Sequence, residues 1–463
     1  MKIILIQVLI VLILLLQPFA PIINFIVGYI LLIAGCRYFN PLNPLLWLYL
    51  AWNILFINAF CGVLQFSNTI DCTKAVSICV GLIGIFILGY YFSMYRLSFK
   101  KNNNTKDKFK TFLSSINLFK TEKYTKVFSI FSIVAAFLLT VEIVLIYGGN
   151  LLAPNSLRDM YNTREATIFS QLAGIFYFGG LFSTPSFLFL KKSKYRILFI
   201  IGILSFAFGS VLTAGRQMVF QLIISFLLCY SVLRYYKIKL ALSKTHKYIF
   251  VSFISLIMGY FVFISTERSS SIDNRTKLQI YESQNSLNYS NDFISTMNDL
   301  PMAVENFFVD YTFYFSHEIF MLSEYLERDK TQLIDFKILR FSPFIERQLD
   351  RFGFFGQTQA ERLENYQHEF NYGSTIISAG WPSTVAPLLE NLGYLGAAFL
   401  VFLHGFYSYS IYYKTKSTPS FGYLNLSIAN NIIIFNIISN SAFSETQVLF
   451  YILVSIYLIR KKI

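Results

Sequence analysis

Charge is what this sequence has least of. Asp, Glu, Lys and Arg make up 14% of its 463 residues, against roughly a quarter in an ordinary soluble domain. Because 55% of the residues are hydrophobic and 18% aromatic, a soluble fold of this length could not keep its apolar surface dry. Lipid is the solvent that such a composition requires. Cysteine is scarce as well: of Cys36, Cys61, Cys72, Cys79 and Cys229, only Cys72 falls in a connecting loop. No CxxC pair or metal-ligand spacing occurs, and a Cys61–Cys72 bridge would require Cys61 to lie near the outer face. There is no Walker loop, HExxH, GxSxG or carboxylate cluster of metal spacing, so neither a metal nor a cofactor is expected. Ionisable residues inside the apolar runs are few, Glu142 being the clearest, whereas an ion-coupled transporter more often places several at mid-membrane depth.

What is abundant is the long apolar run. Segments 3–16, 22–36, 46–65, 74–94, 127–148, 169–190, 197–213, 217–236, 248–266, 393–413, 421–438 and 446–459 are each near the length of a membrane span. The expected fold class is therefore all-α, a polytopic integral membrane protein of about 12 transmembrane helices. The first run resembles a signal peptide, but no small-residue cleavage site follows Gln17-Pro18-Phe19-Ala20-Pro21, and it reads as an uncleaved first span. Three stretches result: 1–266 with nine helices and short loops, a large loop at 267–392, and 393–463 with three more helices.

The net charge of +14 would suit nucleic acid if it were spread evenly. It is not. Residues 267–384 hold 17 acidic and 10 basic residues, a balance of −7 that leaves +21 on the rest. The excess cations gather around Arg37, in 95–126, 191–196, 237–247 and 414–416, and in Arg460-Lys461-Lys462. With twelve spans, all of these fall on one side, which the positive-inside rule makes cytoplasmic together with both termini. No nucleic-acid partner is expected. The large loop then lies outside, and its apolar residues Ile294, Met297, Leu300, Val304, Phe307, Phe308, Tyr311 and Phe315 recur near helical spacing. That spacing predicts one or two amphipathic helices over 291–328 on the membrane surface. Residues 386–393 lead into the next span.

Cations on the outer side depart from the rule and draw interest. Arg216 occupies a short turn, Thr213-Ala214-Gly215-Arg216-Gln217, between two apolar runs. It suits either an interfacial anchor on lipid phosphate or a planar bidentate donor to a pyrophosphate. The large loop favours arginine over lysine, seven to three, with Arg268, Arg275, Arg347 and Arg351 among them. Arg347 and Arg351 are spaced to share a helix face; Arg158 and Arg164 belong to the loop 149–168. Ordinary ion pairing with the many carboxylates is the alternative role for any one of them. His317 and His368 lie outside, His246 inside and His404 within a span. His368 sits in the polar run Asn365 to Ser374, where an imidazole titrating near neutrality could serve as a general base.

Taken together, the Gly215-Arg216 turn, the His368-x-x-Asn371 pair, Glu390-Asn391-Leu392-Gly393-Tyr394-Leu395-Gly396 and the late outer loop resemble the O-antigen polymerases (Wzy) and the related O-antigen ligases. The chain departs from the commoner pattern in the Thr213-Ala214 that precedes Gly215-Arg216. The resemblance implies a metal-independent glycosyltransferase at the periplasmic face of a bacterial inner membrane. It would join undecaprenyl-diphosphate-linked repeat units, with membrane lipid around it and a chain-length regulator protein as an implied partner. In that reading the arginines hold the donor diphosphate, His368 takes the acceptor proton and Asn371 orients sugar or histidine. A ligase differs only in its acceptor. A lipid-linked oligosaccharide flippase would not need the outer loop, and a non-enzymatic scaffold would not need the outer arginines or His368.

Overall fold

A computed structural model describes residues 1–16, 20–66, 71–98, 105–114, 118–149, 167–190, 193–213, 217–238, 287–327, 385–436 and 446–463, with scattered positions between 248 and 260. The described chain is mostly helical. Five of its helical stretches are long and apolar enough to cross a membrane: Thr73–Leu97, Lys120–Ile146, Ile168–Phe189, Met218–Tyr235 and Asn391–Ser417. Shorter apolar helices fall on six more of the expected runs. Of the run 248–266, only a few helical positions such as Tyr248, Leu256 and Tyr260 are described.

The residues divide into two compact units, each assembled from separate stretches of chain. One comprises Met1–Arg96, Ile272–Tyr409 and Ile433–Glu445; the other comprises Leu97–Ser271, Ser410–Ile432 and Thr446–Ile463.

The first unit begins with α1 (Lys2–Leu15), α2 (Pro21–Cys36) and α3 (Pro44–Phe60). Proline opens α2 and α3, where its missing N–H costs nothing, and the Asn43 side chain accepts from the Leu45 N–H to cap α3. Sequence reading carries the third span to residue 65, but the helix stops at Phe60. Gly62 takes φ 85°, a left-handed geometry that ends a helix. The chain then forms β1 (Leu64–Phe66), which pairs antiparallel with β2 (Leu287–Tyr289), Leu64 opposite Tyr289. Cys61 and Cys72 are not bridged. α4 (Thr73–Ser98) follows.

The helices expected in the large loop are present as α11 (Asn291–Asn298) and α12 (Met302–Glu327), counted in chain order with α5–α10 of the other unit between. Phe293, Met297, Val309, Phe313 and Met321 from them join Cys61, Val63, Leu64 and Tyr289 in one hydrophobic core. α13 (Val385–Ser417) contains a break at Gly393, with φ 64° and ψ 176°. α4 and α13 cross closely at glycine: a Cβ on Gly89 would strike the Phe402 carbonyl, and one on Gly405 the Phe86 carbonyl.

The second unit holds α5 (Thr105–Ser114), α6 (Leu118–Thr140), a π-helical turn Val141–Ile146, α7 (Ile168–Phe176), α8 (Phe178–Phe189), α9 (Arg196–Leu212) and α10 (Gln217–Tyr235). Most of α14 (Phe421–Phe435) and all of α15 (Thr446–Arg460) complete it. α6 packs on α7, α8 and α9. Its glycine contacts are equally tight, since a Cβ on Gly179 would meet the Phe128 carbonyl and one on Gly180 the Phe206 ring. Phe128, Phe182 and Tyr451 fill the centre, the last two edge to face at 4.6 Å.

Candidate functional site

Arg216, His368, Asn371, Arg158, Arg268, Arg275, Arg347 and Arg351 all lie outside the described residues, as does His246. Their surroundings in the chain are clearer. α9 ends at Leu212 and α10 begins at Gln217, so only a few residues separate Arg216 from two apolar helices. The segment Glu390 to Gly396 falls within α13, and its Gly393 supplies the left-handed break. An L-side chain is strained in that geometry, which gives the glycine a physical reason. Asn391, beside the break, is fully buried.

Among the described residues, polar groups concentrate on α12, and the first unit's helices meet them. The Tyr29 and Tyr311 hydroxyls lie 2.7 Å apart, and the Asn58 amide nitrogen donates to Tyr29 at 2.7 Å. The Ser316 hydroxyl donates to the Asn58 carbonyl at 2.9 Å. Lys74 Nζ reaches the Leu326 carbonyl near the far end of α12 at 3.2 Å, and the Phe60 and Phe320 rings pack at 6.0 Å. Three apolar helices are thus tied to a helix rich in acidic residues.

Two ionisable neighbours on α12 are buried. His317 Nδ1 lies 2.9 Å from the Phe313 carbonyl, and its ring stacks on Phe313 at 4.8 Å. Burial holds its pKa down to about 4, although hydrogen bonding to the backbone favours the charged form. Glu318 is pushed well above the usual carboxylate range by burial. Its Oε2 has no hydrogen-bond partner among the described residues. Burial disfavours the charged form of both groups, so neither suits the binding of a diphosphate.

The second unit places Glu142, fully buried, in the π-helical turn that ends the α6 stretch. π-turns recur at functional sites, and a buried carboxyl in an apolar helix marks a site for attention. Gln221 and Gln447 meet through their side-chain amides at 3.4 Å, and the Tyr451 hydroxyl donates to Asn425 at 2.9 Å. His404, expected within a span, is on α13, edge-on to Phe86 at 5.4 Å. With Trp52, Leu82, Phe86 and Leu400 it lines a small apolar cavity in the first unit. No group of three or more His, Cys, Asp or Glu among the described residues is placed to hold a metal.

Sequence reading did not single out Tyr29, Asn58, Ser316 or Glu318. The available signal was polarity out of place: Asn24, Asn53 and Asn58 interrupt apolar runs, where an amide needs a partner. No family model, curated protein or solved structure matches this chain.

Proposed function

We propose that the protein polymerises undecaprenyl-diphosphate-linked oligosaccharide repeat units into O-antigen or a related surface polysaccharide, at the periplasmic face of the inner membrane. The observation that carries this reading is the position of Arg216 in the chain, between α9 and α10, whose described ends are only a few residues apart. A cation confined between the ends of two apolar helices belongs at a membrane boundary, the depth at which a lipid-linked diphosphate presents its charge. The Gly393 break within Glu390 to Gly396 lends further support.

In this mechanism Arg216 clamps the diphosphate, helped by Arg158, Arg268, Arg275, Arg347 and Arg351. His368 takes the proton from the acceptor sugar hydroxyl, whose oxygen bonds to the donor's anomeric carbon. The bond from that carbon to the diphosphate breaks, and undecaprenyl diphosphate leaves with the electron pair. Asn371 orients the sugar or the imidazole. No metal takes part.

Deletion of the gene should leave lipopolysaccharide core carrying a single repeat, with the ladder gone. Bare core would indicate a ligase or flippase, and an unchanged ladder would remove the O-antigen reading. Arg216→Ala and His368→Ala should each abolish polymer while the protein still reaches the membrane. Normal chain length in both variants would refute the site assignment.

A further inference from the structure

We propose that α12 lies within the membrane interface with its aromatic stripe against lipid, so that bilayer lipid is the partner of this helix. The proposal goes beyond the polymerase reading and does not depend on it.

α12 buries polar side chains beside its apolar core residues while leaving an aromatic stripe exposed. Asn306, Asp310, Thr312, Ser316, His317 and Glu318 are buried. Its exposed side carries Val304 (38%), Phe307 (39%) and Tyr314 (43%). With the half-buried Tyr311 these residues run 304, 307, 311, 314, the spacing of a single helix face. A soluble helix would point this stripe inward and its carboxylates outward. The opposite arrangement is stable where the surrounding medium is apolar and polar groups must find partners inside the protein. Tyrosine is also a residue of the membrane–water boundary, with an apolar ring and a polar tip.

The stripe continues an exposed apolar surface on α2. Tyr311 is joined to Tyr29 by their hydroxyls, and Phe307 stacks on Tyr311 at 6.3 Å. On α2, Ile26 (51%) and Ile30 (58%) flank Tyr29 and are exposed. Tyr29 lies eight residues into α2, about 12 Å from the helix start at a rise of 1.5 Å per residue. The junction therefore stands about two turns along α2, and the Asn58 amide that donates to Tyr29 lies two residues before the end of α3, so α12 packs beside both apolar helices near that end of α3. Phe307 joins this α2 surface through Tyr311 and Tyr29, and Tyr314 lies further along the same face of α12. Lipid covers the apolar surface of Phe307, Tyr314, Ile26 and Ile30, with the Tyr314 hydroxyl as the polar tip.

The test uses the full chain, with its five cysteines replaced, in phosphatidylethanolamine–phosphatidylglycerol vesicles. Val304→Cys, Phe307→Cys and Tyr314→Cys each carry a nitroxide, with Ile30→Cys as the lipid-facing reference. Power saturation should show each α12 label severalfold more accessible to oxygen than to a water-soluble nickel chelate, as at the reference. Labels that collide mainly with the nickel chelate would place the stripe in water and overturn the proposal. Labels shielded from both would mean that protein covers it, a second copy included, and would overturn it equally. Should the cysteine-free chain fail to fold, the unaltered protein is photolabelled from a phospholipid carrying an acyl-chain diazirine. Labelled residues within 302–315 are expected there, and labelling of α2 without this segment would count against the proposal.

Discussion

The two units solve one problem, burying polar groups among apolar helices, in different ways. In the second unit Ser129 meets Ser183 and Ser132 the Gly202 carbonyl across helices, but most buried hydroxyls bond within their own helix, as Ser183 does to Gly179 and Ser186 to Phe182. Such bonds would survive if the helices separated, and little tertiary stability rests on them. In the first unit several polar bonds span long stretches of sequence. Tyr29 meets Tyr311, Ser316 meets Asn58, Lys74 meets Leu326 and Gln7 meets Asn53. There the bonds hold an acidic helix in place. Glycine contacts are common to both units, at Gly89 and Gly405 in one and Gly179 and Gly180 in the other. Close packing is therefore the shared device. What distinguishes the first unit is that three of its long-range polar pairs converge on one helix, α12, whereas those of the second, Gln221 with Gln447 and Ser132 with the Gly202 carbonyl, are spread over several helices.

The largest effect should come from breaking what is shared. Gly179→Leu must push α8 off the Phe128 carbonyl, and overpacking against backbone should cost about 3 kcal/mol. Gly405→Leu should do the same in the first unit, where the Phe86 backbone gives no room. Melting of the purified protein in detergent reads both. A wild-type midpoint in either variant would mean that the helices do not approach so closely.

A smaller effect should separate the units. Asn58→Ala removes the donor to Tyr29 and weakens the anchorage of α12, with an expected loss of about 2 kcal/mol. Ser129→Ala in the second unit should cost only about 0.6 kcal/mol, since Ser183 keeps its bond to the Gly179 carbonyl. Equal losses would erase the contrast.

The smallest effect is one of pH. Burial raises the Glu318 pKa above that of the unfolded carboxyl, which ionises above about 4.3. The folded state thus keeps a proton that the unfolded state releases, so stability falls as pH rises above that value. His317 acts with the opposite sign. Held down to about 4, it stays neutral when folded, whereas the unfolded imidazole gains a proton below about 6.5. Its contribution is therefore lost as pH falls from 6.5 towards 4. The two contributions oppose each other where both groups titrate. Glu318→Gln should flatten the decline in melting temperature as pH rises above the unfolded carboxyl's range. An unchanged decline would place its cause elsewhere.

Most helices could be read directly from the sequence because a run of apolar residues near span length has few other uses. Their ends were less legible. The third span stops at Phe60 because Gly62 turns left-handed and the next residues pair with 287–289, a strand separated from them by over two hundred residues. The amphipathic segment 291–328 could be read as helix, but its orientation could not, since both of its faces carry apolar residues. Met297, Phe313 and Met321 went inward with the carboxylates, while Phe307 and Tyr314 stayed exposed. As for the proposed site, Arg216, His368 and Asn371 come from local motifs and charge placement.

The sequence by itself determined a chain for the membrane, because its scarcity of charge and its run lengths depend on composition and spacing alone. Only the tertiary structure decided which helices share a unit, where α13 breaks and how Tyr29, Asn58, Tyr311 and Ser316 meet. Those outcomes depend on contacts between residues up to 282 positions apart, and no local pattern encodes which distant hydroxyl an asparagine will find.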